Sequence, residues 1–290
     1  MKKWCVVAAL ILIQIGAAQS HGTVLGEQTM QSEILDYNVN YCIYLPPDYD
    51  VSQRRYPVVY LLHGYSDSEW GWVQFGEVQN AADQGIADGT LPPMIIVMPD
   101  GKLTFYVNDY RGQNRWEDMF VQEFIPYIDT EFRTRPKKEF RGISGLSMGG
   151  YGSLMFSMRY PQLFAACAAF SSAVWDPEAL TAPDSTRQYD KFFVDLFGPL
   201  KNGELPEHFK SRHPLHLAKR LSADSLSQVR YYIDCGDDDF LINGNMQLHR
   251  ILKNAGVPHE FRVRDGAHNW TYWRTGILDG LKFIGQSFHR

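Results

Sequence analysis

Short, unbroken apolar runs alternate along this chain with longer stretches in which apolar residues recur every three or four positions. The runs Pro57 to Leu62, Met94 to Met98, Phe164 to Phe170 and Val229 to Cys235 are bounded by Gly, Pro or Asp. Runs without a polar face predict strands buried on both sides of a central, mostly parallel sheet. Between them, residues 76–88, 116–132, 148–160, 244–255 and 272–288 have helical spacing. Strand followed by helix, repeated, is the pattern of an α/β protein with helices on both faces of its sheet. His259 to Arg264 predicts a last strand before the final helix. Near the start, Gln28 to Leu35 and Val39 to Leu45 mix polar and apolar positions, and Pro46-Pro47 ends the second. This pair predicts antiparallel strands at a sheet edge.

Two stretches depart from that rhythm. Between Val174 and Gln228 the chain carries Pro177, Pro183, Pro199, Pro206 and Pro214 among scattered charges. We expect a lid-like insertion around 174–228 that crosses the C-terminal edge of the sheet and walls a substrate cleft. The other stretch is the N-terminus, where Lys2-Lys3 precede an apolar run from Trp4 to Ile15 and the small residues Gly16-Ala17-Ala18-Gln19-Ser20 follow. That is the layout of a signal peptide over residues 1–20, cut after Ala18 or Ser20. The run is short for a bilayer of about 30 Å, so export to the periplasm or exterior is expected, without stable membrane insertion. Residues 21–290 then read as one catalytic domain.

Composition narrows the partners. The 290 residues are 44% hydrophobic and 21% charged, with a formal charge of -5 and no Lys/Arg block. Nucleic acid and anionic membrane surfaces are therefore not expected partners, and the sequence leaves oligomerisation open. Cys42, Cys167 and Cys235 remain after cleavage, and an odd number cannot pair completely. Cys167 lies in an apolar run and Cys235 ends one, so both read as small buried hydrophobes.

The chemistry centres on Gly145-Leu146-Ser147-Met148-Gly149. Gly-x-Ser-x-Gly between a strand (Phe140 to Ser144) and a helix stopped at Pro161 predicts a sharp turn that presents the serine hydroxyl at the sheet edge. A serine needs a base within hydrogen-bond reach, and the base needs an acid to fix its tautomer. Of the histidines after Ser147, only His268 stands in the loop between the last strand and the last helix. That loop opens on the same edge as the turn. The acid comes from Asp237, Asp238 or Asp239 at the end of the preceding strand, and spacing alone does not choose among them. An oxyanion would be held by the Met148 N–H at the start of the helix and by the Tyr65 N–H, with Gly64 as the alternative. His63, ending a buried strand, is expected to prop that loop. His213-Pro-Leu-His216 lacks the Glu of a helical zinc motif, and the three aspartates lack calcium-loop spacing. No metal or cofactor is expected. One or two of Trp70, Trp72, Phe75, Trp116 and Trp175 should touch substrate, with Trp70, Trp116 and Trp175 as the candidate contacts.

Leu61-Leu62-His63-Gly64-Tyr65, the segment Gly145 to Gly152, Cys235-Gly236-Asp237-Asp238-Asp239-Phe240-Leu241 and Gly266-Ala267-His268-Asn269-Trp270 occur in that order. Together they resemble the esterase D family of α/β-hydrolases, which includes S-formylglutathione hydrolases, tributyrin esterases, and the feruloyl and acetylxylan esterases of carbohydrate esterase family 1. The resemblance spans nearly the whole mature chain. It implies an α/β-hydrolase fold and a serine esterase working through a Ser-His-Asp triad and an acyl-enzyme. In these relatives the acid commonly precedes an apolar pair such as Phe-Leu, which implies Asp239. Many relatives have His-Asp-Trp where this chain has His268-Asn269-Trp270, so that second acid is absent here. With export, the resemblance favours acetyl or feruloyl esters of plant polysaccharide, or other short acyl esters, over intracellular S-formylglutathione. An acyltransferase of the same fold is the alternative. A binding protein on a hydrolase scaffold is disfavoured, because every triad position holds a competent residue.

Overall fold

The computed structural model describes residues 21–182 and 189–289. Residues 1–20, on which the export reading rests, and residues 183–188 of the insertion lie outside them. Eight strands form one sheet in the order β1-β2-β4-β3-β5-β6-β7-β8. β1 (Thr23–Ser32) and β2 (Tyr37–Leu45) form the antiparallel edge, and β2 runs antiparallel to β4 (Ile95–Pro99). From β4 onward β3 (Val58–Leu62), β5 (Arg141–Leu146), β6 (Ala166–Phe170), β7 (Arg230–Gly236) and β8 (His259–Arg264) pair in parallel. The expected α/β-hydrolase architecture is present.

The two-residue period of a strand explains the layers. Val58, Tyr60 and Leu62 point into one apolar cluster, with the helix residues Phe120, Phe124, Leu154 and Leu248. Val59 and Leu61 point into the opposite cluster, with Ala82, Ile277 and Leu281. Because both faces are covered, β3 to β6 carry fully buried side chains throughout. α1 (Gly71–Gln74) and α2 (Val78–Ala87) follow β3; α3 (Trp116–Met119) and α4 (Ile125–Glu131) flank a π-helical turn at Phe120–Phe124. α5 (Met148–Arg159) follows β5. From β3 the chain moves outward to β4, then returns to β5 on β3's other side. Such a reversal of direction opens a crevice at the C-terminal ends of the two strands.

The insertion is more ordered than its prolines suggest. It contains the short helices α6 (Pro177–Thr181), α7 (Lys191–Phe197), α8 (Glu207–Lys210), α9 (Pro214–Arg220) and α10 (Ala223–Leu226). Asp176, Asp190 and Ser222 cap three of them through side-chain acceptors, and Pro177 and Pro214 occupy first-turn positions, where no N–H is needed. The remaining helices are α11 (Ile242–Asn254) and α12 (Trp270–Gly285). Among the described residues no helix is long and apolar enough to cross a membrane.

One buried carboxylate ties the insertion to the body. Glu117 on α3 is fully buried and binds Arg159 Nε and Arg212 Nε, each at 2.8 Å, and the Tyr160 hydroxyl at 2.8 Å. Arg212 belongs to the insertion and Arg159 to α5. Removing a buried partner leaves uncompensated charge. Glu117→Ala is therefore expected to lose about 3 kcal/mol of stability, measured by urea denaturation. A loss under about 0.5 kcal/mol, the level of an ordinary surface change, would show that the anchor is unimportant.

Candidate active site

Ser147 occupies the turn between β5 and α5 with φ 53° and ψ -115°, a backbone conformation that a residue with a Cβ rarely adopts. The flanking glycines permit it by close approach. A Cβ on Gly145 would lie 2.5 Å from the Gly149 carbonyl oxygen, and one on Gly149 would lie 2.3 Å from that of Leu62. The β3 loop passes directly beside the turn: a Cβ on Gly64 would stand 3.6 Å from that of Ser147. Within the described residues neither the Tyr65 N–H nor the Met148 N–H donates to another group, so both expected oxyanion donors are free. His63 props this loop as expected. Its Nδ1–H donates to the Gly64 carbonyl at 2.7 Å and its Nε2 accepts from the Gly101 N–H at 2.8 Å.

His268 and Asp239 arrive from the other side. β7 ends at Gly236 and β8 at Arg264, so their loops meet above the sheet. Ser147 Oγ lies 3.0 Å from His268 Nε2, and His268 Nδ1–H donates to Asp239 Oδ2 at 2.8 Å. Of the three aspartates, Asp239 is thus the one that contacts the imidazole. Asp237 and Asp238 are exposed, and Asp237 Oδ1 accepts from the Gly266 N–H at 3.0 Å, bracing the histidine loop. Asp239 is 2% exposed. Burial alone would raise its carboxyl, but hydrogen bonds from His268, Ser171 and the Leu241 N–H outweigh it and hold the group below the ordinary carboxylate range. Ser171 is fixed in turn by the Trp273 indole N–H at 2.9 Å; nothing in the sequence pattern singled out this pair. Asn269, where relatives often have Asp, caps α12 by accepting from the Tyr272 N–H. Cys42, Cys167 and Cys235 are all buried and free, and burial pushes the Cys42 and Cys167 thiols up to about 12, so neither competes as a nucleophile.

A cleft of about 990 Å³ opens over Ser147 and His268. Trp175 lines it, with Tyr65, Phe105, Phe192, Phe240 and Trp270. Two of the expected contacts are corrected. Trp116 is fully buried between Tyr106, Phe120 and Phe156, in the apolar cluster that holds Val58, Tyr60 and Leu62. Trp70 covers the β1 bulge, where a Cβ on Gly26 would meet its ring at 2.1 Å, and it does not reach the cleft. Trp72 is also core, donating its indole N–H to the Leu62 carbonyl at 3.0 Å. Asp67, Asp176 and Asp190 line the cleft, and among the described residues no Lys or Arg does.

The fold is that of an α/β-hydrolase. Residues 32–284 match the family model described as "Putative esterase"; the chain belongs to this esterase family and is a carboxylic-ester hydrolase. It is 27% identical over 267 residues to an acetyl esterase of Caldicellulosiruptor saccharolyticus, covering 88% of this chain and 96% of that protein. It is 33% identical over 156 residues to an endo-1,4-beta-xylanase/feruloyl esterase of Xylanibacter ruminicola, covering 50% of this chain and 21% of the longer protein. A solved ferulic acid esterase superposes with a TM-score of 0.80 at 30% identity, over 92% of this chain and 99% of that one.

The depressed Asp239 carboxyl adds stability that is present above the unfolded value, about pH 4, and is lost as the pH falls through the lower folded value. The wild type should therefore be more stable than Asp239→Asn at pH 7, and urea denaturation should show the gap closing towards pH 3. The same substitution should lower kcat by up to about ten-thousandfold. Asp237→Asn should stay within about tenfold, since an amide oxygen still accepts from the Gly266 N–H. The reverse ranking would reassign the acid.

Proposed function

We propose that this chain is an exported serine esterase that cleaves neutral acetyl, feruloyl or other short acyl esters, with plant polysaccharide esters as the favoured natural substrates. The observation that carries the reading is the unbroken line of hydrogen bonds from Ser147 Oγ through His268 to Asp239, at 3.0 and 2.8 Å. His268 takes the proton as Ser147 Oγ attacks the ester carbonyl, and Asp239 holds the imidazole in the tautomer with Nδ1 protonated. The Met148 and Tyr65 N–H groups stabilise the tetrahedral oxyanion. His268 then returns the proton to the leaving alcohol, and a water activated by the same imidazole releases the acid from Ser147.

Three further features support the substrate class. The cleft is lined by aromatic rings suited to a flat acyl group or a sugar face. Its charged lining in the described residues is acidic, which disfavours substrates carrying their own carboxylates. The N-terminal pattern of Lys2-Lys3 and the apolar run after it favours esters met outside the cytoplasm.

Acetate and ferulate release from acetylated xylan and feruloylated arabinoxylan, measured beside a short-chain nitrophenyl ester series, tests the reading. The wild type is expected to release at least one of the two acids, and Ser147→Ala to lose at least about a thousandfold in kcat. Release of neither acid would refute the polysaccharide assignment. Undiminished hydrolysis by Ser147→Ala would refute the nucleophile. Transfer of the acyl group to added sugar in preference to water would make the protein an acyltransferase instead.

A further inference from the structure

The aromatic side chains of the cleft form two contact groups. One joins the β3 loop to the insertion: Tyr65 and Phe192 lie 5.4 Å apart, and Phe105 lies 5.6 Å from both Phe192 and Trp175. The other is built on His268. Phe240 lies 4.6 Å from the imidazole and Trp273 lies 4.8 Å from it, with Trp270 5.4 Å beyond Trp273. The proton path assigns an occupant to the second group. The proton that Nε2 takes from Ser147 must next reach the leaving alcohol, so the alcohol oxygen sits within hydrogen-bond reach of Nε2. The rest of the alcohol then lies against whatever flanks the imidazole.

Phe240 is 71% exposed, although Asp239 and Leu241 on either side of it are each 2% exposed. A phenyl ring so open to water adds little to the core. Nor is the ring required to hold the imidazole. Asp239 fixes His268 at Nδ1, and Trp273 meets its ring edge-on at an interplanar angle of 88°. What the ring offers is unburied apolar area beside the imidazole that hands the proton to the departing oxygen.

We propose that Phe240, which lines the same cleft as Trp270, is the platform for the alcohol half of the ester, and that it selects ring-bearing alcohols, whose C–H or π faces stack on it. Acyl selection falls to the other aromatic group. This proposal rests on the assignment of Ser147 and His268 as nucleophile and base.

Two ester series separate the possibilities. In the first the acyl group is always acetyl and the alcohol varies: ethyl acetate, phenyl acetate and an acetylated xylo-oligosaccharide. In the second the alcohol is always methanol and the acyl group varies: methyl acetate, methyl butyrate and methyl ferulate. For Phe240→Ala, kcat/KM on the two ring-alcohol acetates should fall about tenfold, while ethyl acetate and the methyl series change by less than about twofold. Phe240→Leu, which keeps an apolar side chain without a flat face, should show the same pattern to a smaller degree and stands in if the alanine variant melts early. An equal fall across both series would overturn the proposal, leaving the ring a role in positioning His268. A fall confined to the acyl series, or no change in either, would overturn it too. Should the wild type cleave no ester in either series, the esterase reading itself fails; an active wild type with flat variant ratios refutes only the platform.

Discussion

The backbone at Ser147 is held where a side-chain-bearing residue resists going, at a cost of about 1–3 kcal/mol, and the surrounding structure is arranged to keep it there. Its N–H donates to the Phe170 carbonyl at 2.9 Å, and its own carbonyl accepts from the Tyr151 and Ala173 N–H groups, each at 2.9 Å. Those bonds tie the turn to β6, to the first turn of α5 and to the start of the insertion. They form only if the loop after β3, β5 and α5 come within contact of one another, and that requires bare glycine at positions 145 and 149. The strained serine and the crevice between β3 and β5 are consequences of the same close approach.

The opposite side of the site is set by charge in a low-dielectric interior. Asp234, on β7, is fully buried; it accepts from Arg264 at the end of β8 at 3.0 and 3.1 Å and from the Tyr232 hydroxyl at 3.0 Å, and it also binds the Tyr272 hydroxyl on α12 at 2.5 Å. These partners belong to the elements that carry the Asp239 loop and the His268 loop. A buried carboxylate without them would be strongly unfavourable, so the network fixes how β7, β8 and α12 sit together. Asp239 and His268 inherit that geometry. Two separately anchored halves, one of packed glycines and one of paired charges, thus face each other across Ser147 Oγ and His268 Nε2.

Much of this was legible in the sequence because it depends on local rules. Buried parallel strands leave apolar runs, and β3, β4, β6 and β7 lie within a few residues of the runs that predicted them, while β5 was placed by the turn it leads into. Glycines at 145 and 149 announced the turn because no other residue fits there. His268 could be chosen by position, as the histidine in the loop after the last strand. Asp239 needed the family resemblance, since three adjacent carboxylates differ only in which way the chain turns them. The insertion's helices escaped notice because four to seven residues are too few to establish a period. Aromatic residues were the least readable. Trp116 and Trp175 offer the same chemistry, yet one is fully buried in the core and the other lines the cleft. Phe105 and Phe240 reach the cleft through loop conformation, with Phe105 at φ 53°, which spacing does not encode.

Everything at this site turns on whether His268 makes the Ser147 hydroxyl nucleophilic. Labelling with a fluorophosphonate, followed by peptide mapping, tests it most directly. A single adduct on Ser147 is expected, its formation slowed by at least about a thousandfold in His268→Ala. An adduct on another residue, or labelling of Ser147 at an undiminished rate without the imidazole, would contradict it.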